Sequence, residues 1–297
     1  NQGIGELMKV VIPAAGMGTR LLPATKEQPK EMLPVVYRPA IHWVVEEAIA
    51  SGANDILIVT GREKRAIEDY FDASLRWDHY LKGSEKGAKN GSLQALDELI
   101  SKAAFHFIRQ REPRGLGDAI LQAEKHVDGE PFLVILGDTI NVANPPVGRQ
   151  LWDAYQKMGH AIVAVERVRA DKVSDYGILN PGEPVDDRLI RAKDFVEKPR
   201  PEDAPSDLGI PGSYVLTPWI FDALRKTPPG RGGEVQLTDA LRTLLQVEPV
   251  YAYKLHGRRY DIGTKLDWFR AHVELTLKQK EFGPAAKDFL KELLADG

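Results

Sequence analysis

Residues 39–60, PAIHWVVEEAIASGANDILIVT, hold a helix and then a strand. Pro39 suits a helix start, where its missing N–H would have had no partner anyway. Ile41, Val44, Val45, Ala48 and Ile49 fall on one helical face, and Gly52 stops the helix. DILIVT (55–60) is a short, β-branched apolar run of the kind buried on both faces of a parallel sheet. KVVIPA (9–14) upstream has the same texture, so 9–60 reads as one βαβ unit, and PFLVILGD (131–138) repeats the strand pattern. Further periodicities predict helices near 62–72, 93–101, 117–127, 148–158, 217–226 and 235–247, alternating with strands near 104–108 and 161–166. The class is α/β, with a mixed, mostly parallel sheet flanked by helices on both faces.

From 171 the texture changes. DYGILN (175–180), KDFVEKP (193–199) and PGSYVLT (211–217) are short strands punctuated by Pro and Gly, which predicts a small antiparallel subsheet packed on the main one. No linker separates the parts, so one domain with elaborations is expected. KLDWFRAHVELTLKQKEFGPAAKDFLKELLADG (265–297) gives two amphipathic helices broken near Gly283 and Pro284. The polar run KGSEKGAKNGS (82–92) reads as an exposed loop inside an insertion. MKVVIPAAG reads as a natural start, so residues 1–7 are expected to be a tag remnant, with Met8 the N-terminus proper.

The chain has 40 basic against 43 acidic residues, a formal net charge of -3, which argues against a nucleic-acid-binding footprint and makes any anion site local. Without cysteine there is no disulfide, thiolate nucleophile or cysteine zinc site, which fits a reducing cytoplasm. No apolar run approaches the roughly 20 residues that span a bilayer, and NQGIGEL at the start lacks a signal-peptide pattern, so no membrane partner is expected.

The chemistry concentrates in PAAGMGTRLLPATKEQPKEMLP (13–34), where Gly16 and Gly18 allow close backbone approach and Arg20, Lys26 and Lys30 add positive charge. A dinucleotide fingerprint fails because Leu21 stands where the third glycine belongs and Pro23 and Pro29 interrupt the helix that should follow. A phosphate loop fails because Thr19 and Arg20, rather than Lys and Ser/Thr, follow Gly18. An extended, proline-stiffened nest of backbone N–H groups with added cations remains, and it suits a triphosphate. Any single lysine here also fits a solvated basic loop. Asp138 ends the VILGD strand, where ligands of open α/β sheets collect, and is a candidate Mg²⁺ ligand or a simple turn cap. In RQREPRGLGDA (109–119) Gln110 offers a donor and an acceptor to a pyrimidine edge, and Gly115 would let a base lie against backbone; the same letters suit an ordinary loop. Glu197 can accept from sugar hydroxyls and Lys198 can neutralise a phosphate, but neighbours on a strand face opposite ways unless it bends or ends there, as Pro199 allows. His42 and His106 sit in apolar patterns and read as structural.

AAGMGTRLLPATKEQPKEMLPV (14–35) closely resembles the signature of the sugar-1-phosphate nucleotidylyltransferases, and its Pro-Ala-Thr-Lys and Lys-Glu-Met-Leu-Pro pieces resemble the bacterial branch acting on UTP and glucose 1-phosphate. The resemblance runs from about 9 to 277 and includes an insertion at 73–103. It implies a Rossmann-like nucleotide-diphospho-sugar transferase fold, a nucleotide part at about 9–170, a sugar-phosphate part at about 171–264, and C-terminal helices at 265–297. By resemblance, Ala14, Ala15, Gly16, Gly18, Thr19, Arg20, Lys30, Glu31, Gln110, Gly115 and Asp138 surround the nucleotide. Gly177, Glu197, Lys198 and Gly212 meet the sugar phosphate, and Asp138 pairs with Asp261 of RRYDIGT (258–264) around Mg²⁺. Arg20, Lys30, Asp138 and Lys198 are the implied catalytic set, Lys26 has no role, and a homo-oligomer, dimer or tetramer, is implied. The alternatives are a thymidylyltransferase using dTTP and a non-catalytic sugar-nucleotide-binding paralogue; the latter has no need of that catalytic set.

Overall fold

A computed structural model describes residues 8–72 and 91–295. The expected tag remnant 1–7, residues 73–90 of the expected insertion, and with them residues 82–90 of the polar loop, therefore lie outside the described residues. Strand β1 (Met8–Pro13) is joined by a long loop to the two-residue strands β2 (Pro34–Val35) and β3 (Arg38–Pro39), which pair with each other ahead of helix α1 (Ala40–Ala50) and strand β4 (Ala53–Thr60). β1 and β4 run parallel with Val10 opposite Ile56 and Ile12 opposite Ile58, as the βαβ reading requires. Their side chains alternate between faces. Val10, Ile12, Ile56 and Ile58 meet Ile41, Val44 and Val45 of α1 in one core, while Val11, Leu57 and Val59 face the other. Ile12 is wholly buried, so its truncation to Ala is expected to cost ~2–5 kcal/mol.

Helices α2 (Arg65–Phe71) and α3 (Gly91–Ile100) precede β5 (Ala104–Arg109), which pairs parallel to β4; α4 (Leu116–Leu121) and α5 (Glu124–Val127) precede β6 (Phe132–Ile135), parallel to β1. The single helix expected at 117–127 is thus two, parted at Gln122 and Ala123. The parallel strands β5, β4, β1 and β6 point their carboxyl ends the same way, and the functional loops gather there.

β7 (Thr139–Val142), α6 (Val147–Met158), β8 (Ile162–Arg167), β9 (Gly177–Pro184), β10 (Leu189–Glu197), β11 (Leu208–Gly209), β12 (Ser213–Leu216), α7 (Trp219–Lys226), α8 (Leu237–Leu244), β13 (Tyr251–Lys254) and β14 (Arg258–Asp261) follow. The antiparallel strands foreseen after 171 exist, but not as a layer packed on the main sheet. β9, β10, β11 and β12 are members of one ten-stranded sheet in the order β11-β9-β10-β13-β8-β12-β6-β1-β4-β5. Continuity leaves their apolar faces covered by the same helices: α7 and α8 pack in one core with Phe132, Val163, Leu179 and Phe195. β7 and β14 form a separate antiparallel pair, with Asp261 opposite Thr139. The closing helices α9 (Lys265–Leu277) and α10 (Gly283–Ala295) break where expected. Ala271 and Leu275 of α9 share a small third core with Val35, Ala40, Ile140, Tyr260 and Ile262.

Candidate active site

The site begins where β1 and β6 end side by side. Gly137 N–H donates to Pro13 O at 3.1 Å, and a Cβ on Gly137 would press on Ala14 Cβ at 3.2 Å and Glu31 Cγ at 3.3 Å. A glycine lets the strand ends close without displacing these neighbours, and the closure delivers Asp138 to the loop after β1. Gly18 is left-handed (φ 66°), and its carbonyl accepts from the Thr25 hydroxyl at 2.8 Å. A side chain on Gly18 would meet Lys30 Cβ at 3.2 Å, so the loop folds back over the lysine stem. Arg20 lies against Gly263, beyond Asp261.

Lys30, Glu31 and Met32 make one turn of 3₁₀ helix. Lys30 Nζ contacts Asp138 Oδ2 at 2.5 Å, with about one-sixth of each side chain exposed, while Glu31 turns inward to Lys64 Nζ at 2.6 Å. Burial works against the Lys30 charge, yet Asp138 and Glu31 raise its pKa above the ordinary value; burial also opposes ionisation of Asp138, but Lys30 holds its carboxyl below the usual range. The inner pair behaves oppositely, since burial pushes Glu31 up and Lys64 down.

Two clefts meet at Lys30 and Asp138, which belong to the walls of both. One, of about 280 Å³, has Ala15, Gly16, Glu31, Gln110 and Gly115 in its wall. The other, of about 420 Å³, has Arg20, Gly177, Glu197, Lys198 and Asp261. The structure thus brings together most of the residues singled out in the sequence. Ala14 is buried behind the first cleft, its N–H bonded to Val59 O at 2.8 Å, and Gly18 and Thr19 shape the loop without entering either wall. Gly212 (φ 105°) also stands back: its missing side chain makes room for Leu136, whose Cδ1 a Cβ would meet at 2.3 Å. Lys26, three-quarters exposed, edges a neighbouring cleft of about 540 Å³ with Arg62, Arg111 and Gln110.

Gln110 is 5% exposed, and its Nε2 donates to Gly115 O at 3.1 Å and Asp118 Oδ2 at 2.6 Å. A carbonyl and a carboxylate can only accept, so the amide orientation is fixed and Oε1 is the group left to offer a ligand. At Gly115 (φ 98°) the place of the missing side chain is taken by protein: a Cβ there would strike Glu234 Cβ at 2.7 Å and Val235 O at 2.9 Å. Its glycine is required by that packing and by its backbone angle.

β10 ends at Glu197, and Lys198 adopts a left-handed backbone (φ 43°), at a cost of ~1–2 kcal/mol for a residue with a Cβ. The turn brings Lys198 Nζ to 2.8 Å from Glu197 Oε1, so the consecutive pair does serve one cleft. Gly177 lies beneath them, where a Cβ would meet Thr238 Oγ1 at 2.5 Å.

Asp138 and Asp261 reach the same cleft because β7 and β14 pair, and Ile262 N–H donates to Asp138 O at 3.2 Å. Asp261 Oδ1 accepts from Gly263 N at 2.7 Å, and Oδ2 lies 3.5 Å from Arg259. Two carboxylates on adjoining strands are the donor set of a hard divalent cation that completes its shell with phosphate and water. The residues therefore fit such an ion.

Lys64, Asp118 and Arg259 escaped the sequence reading. Arg259 is a buried cation held by Glu166 at 2.6 Å and Tyr176 OH at 3.0 Å, which raise its pKa against the effect of burial. Asp118, eight residues after Gln110 at the start of a helix, carried the one local signal. His42 is structural as read: its Nδ1 lies 2.9 Å from Tyr70 OH, and burial, with Arg38, lowers its pKa to about 4.

An anion-suited glycine loop and an acidic strand end, joined across one mixed sheet to a second cleft, are the architecture of nucleotidyl transferases, and the chain belongs to that family, whose model matches residues 9–278. Among its relatives is a Bacillus subtilis protein named UTP–glucose-1-phosphate uridylyltransferase YngB, 47% identical over 289 residues that cover 97% of this chain and 96% of the relative. A Streptococcus pneumoniae protein named UTP–glucose-1-phosphate uridylyltransferase is 47% identical over 97% of this chain and 95% of its own. Among solved structures, a UDP-glucose pyrophosphorylase complexed with UDP-glucose superposes with a TM-score of 0.85 at 42% identity, covering 92% of this chain and 100% of that one. A UTP-bound enzyme of the same kind from Acinetobacter baumannii gives 0.86 at 34% identity over 97% and 100%.

Proposed function

We propose that this protein is a UTP–glucose-1-phosphate uridylyltransferase, making UDP-glucose and pyrophosphate. The observation that carries the reading is the meeting of the two clefts at Lys30 and Asp138, which lets a nucleotide and a sugar phosphate abut at one charged junction. A phosphate oxygen of glucose 1-phosphate attacks the α-phosphorus of UTP, the bond to the bridging oxygen of the β-phosphate breaks in line, and pyrophosphate leaves with that electron pair. The attacking phosphate is already ionised at neutral pH, so no general base is needed.

Two such anions repel by about 1 kcal/mol per unit-charge pair at 4 Å in water and several times more in a drier cleft. Lys198 orients the attacking phosphate, Arg20 and Lys30 meet the departing pyrophosphate, and the loop N–H groups around Gly16 and Gly18 hold the nucleotide. Asp138 and Asp261 would hold Mg²⁺, which when bound neutralises phosphate charge between the reactants. Glu197 accepts from glucose hydroxyls, with Gly177 against the sugar and Gly212 fixing the adjoining strand. The Gln110 oxygen accepts the N3–H of uracil; cytosine carries no proton there, whereas thymine carries the same one. The uracil edge therefore excludes CTP but not dTTP, which makes dTTP the second reading.

Residues 9–170 form the nucleotide side and 171–264 the sugar-phosphate side of this one sheet. The protein works in the cytoplasm as a homo-oligomer, dimer or tetramer, for which exposed Leu266 and Phe269 on α9 and Phe289 and Leu294 on α10 supply an apolar face. Pyrophosphate release measured with five nucleoside triphosphates against several sugar 1-phosphates tests the assignment. UTP with glucose 1-phosphate is expected to give the highest kcat/KM; a preference for dTTP, or no pyrophosphate from any pair, overturns it.

A further inference from the structure

At the other end of the sheet, away from both clefts, three side chains converge that the reaction does not use. Asp55 is the third residue of β4, His106 the third of β5, and His126 lies in α5. The strands pair with Leu57 opposite His106, so Asp55, two residues before Leu57, projects from the same face as His106 on the diagonal. His126 closes the group from the covering helix. Asp55 Oδ1 is 2.9 Å from His126 Nε2 and 3.5 Å from His106 Nε2, the two rings are 4.7 Å apart, and one donor atom from each residue lies within 4.8 Å of the other two. His106, expected to be a structural histidine in an apolar strand, is in fact about half exposed. β5 is the sheet edge among the described residues, and the outer imidazole faces water instead of core.

We propose that Asp55, His106 and His126 bind a Zn²⁺-class transition-metal ion that ties the β4–β5 edge to α5. Two imidazoles and one carboxylate are a borderline-soft donor set that selects such metals over Mg²⁺. In a tetrahedral zinc site with bonds of ~2.0–2.1 Å, neighbouring donors stand about 3.3 Å apart, and the two Asp–His distances bracket that value. The exposed side of His106 leaves the fourth position to water, and the mostly buried Asp55 and His126 hold the other two donors in place. Lys9, on β1, reaches the turn that carries His126. Its Nζ is engaged by His126 O and Val127 O, each at 3.1 Å, and by Glu130 at 3.0 Å, so its charge is neutralised locally and it steadies the turn that carries His126.

The test is calorimetric titration of Zn²⁺ into the chelator-stripped full chain with Mg²⁺ saturating, so that the carboxylates of the active site are occupied. One zinc per chain is expected to bind in the micromolar range at about pH 7.5. His106→Gln and Asp55→Asn each weaken it by about thirtyfold or more, and Asp138→Asn leaves it unchanged. Zinc at a hundredfold excess over Kd raises the unfolding temperature of the wild type by several degrees and of neither site variant. Circular dichroism of His106→Gln, which alters a half-exposed side chain, checks that the variant is folded. Zinc affinity in either site variant within threefold of the wild type overturns the proposal, as does no binding below about 1 mM.

Discussion

Lys30 and Glu31 are adjacent on one turn, and each closes a pair with a residue far along the chain, yet the two pairs are built for different work. Lys30 and Asp138 stand at the junction of two clefts with their charges reinforcing one another, and water reaches both. Glu31 and Lys64 are 1% and 8% exposed and hold one another in a place where each alone would tend to lose its charge. The first pair opens onto both clefts, where an incoming phosphate would be able to exchange for the carboxylate on Lys30. The second cannot give up a partner, and so fixes the turn from which Lys30 projects.

The sharpest way to break this contrast is to neutralise one member of each pair. Lys30→Met and Asp138→Asn are each expected to lower kcat/KM about a thousandfold, ~4 kcal/mol of transition-state stabilisation. Asp138→Asn should also abolish the normal Mg²⁺ titration of activity. An unaltered magnesium curve would remove Asp138 from the metal set. Acid sensitivity follows the same pair. Because the Asp138 carboxyl is held below 3.8, it contributes stability at neutral pH that is lost only as pH falls through that lowered pKa. Lys30→Met should move its loss to higher pH, seen in urea unfolding across about pH 3 to 5.

Lys64→Met leaves Glu31 buried without its cation and is expected to cost ~3 kcal/mol in urea unfolding, partly recovered in the double variant with Glu31→Gln. A single variant as stable as the wild type would show that the inner pair holds nothing. On the second cleft, Lys198 and Glu197 repeat the exchangeable type. Lys198→Ala should reduce kcat/KM for glucose 1-phosphate about a hundredfold, ~2.7 kcal/mol, while calorimetric UTP affinity stays the same. Equal loss of UTP affinity would place Lys198 on the wrong substrate. Asp118 and Gln110 repeat the fixed type with a smaller stake: Asp118→Asn releases the amide orientation and should erode the preference for UTP over CTP about tenfold. A ratio that does not move would mean that Asp118 does not orient the base-reading amide.

The contrast also separates what could be read in the sequence from what could not. The βαβ unit was legible because helical and strand periodicities are local, and the loop after β1 because its glycines, cations and prolines lie within 22 residues. Asp138 was legible because a strand end has a known use. Lys64 was not: its meaning comes from Glu31, 33 residues away, and from burial that no local pattern signals. The same holds for Arg259 with Glu166, 93 residues apart. Gly115 and Gly212 were singled out for ligand approach, and their φ values and close neighbours, which only the fold supplies, add packing reasons for a glycine at each. The antiparallel strands were recognised singly, and their merger into one sheet depends on pairings between β12 and β6 and between β13 and β8 that strand texture does not encode.

The small third core has a consequence in time. Val35 and Ala40, just beyond the glycine-rich loop after β1, are packed by Tyr260, Ile262, Ala271 and Leu275, and Arg20 rests against Gly263. A ribosome makes the loop early and its supports more than two hundred residues later. The βαβ unit can form while the chain is still growing, but the junction of the two clefts stays unfinished until β14 and α9 have emerged.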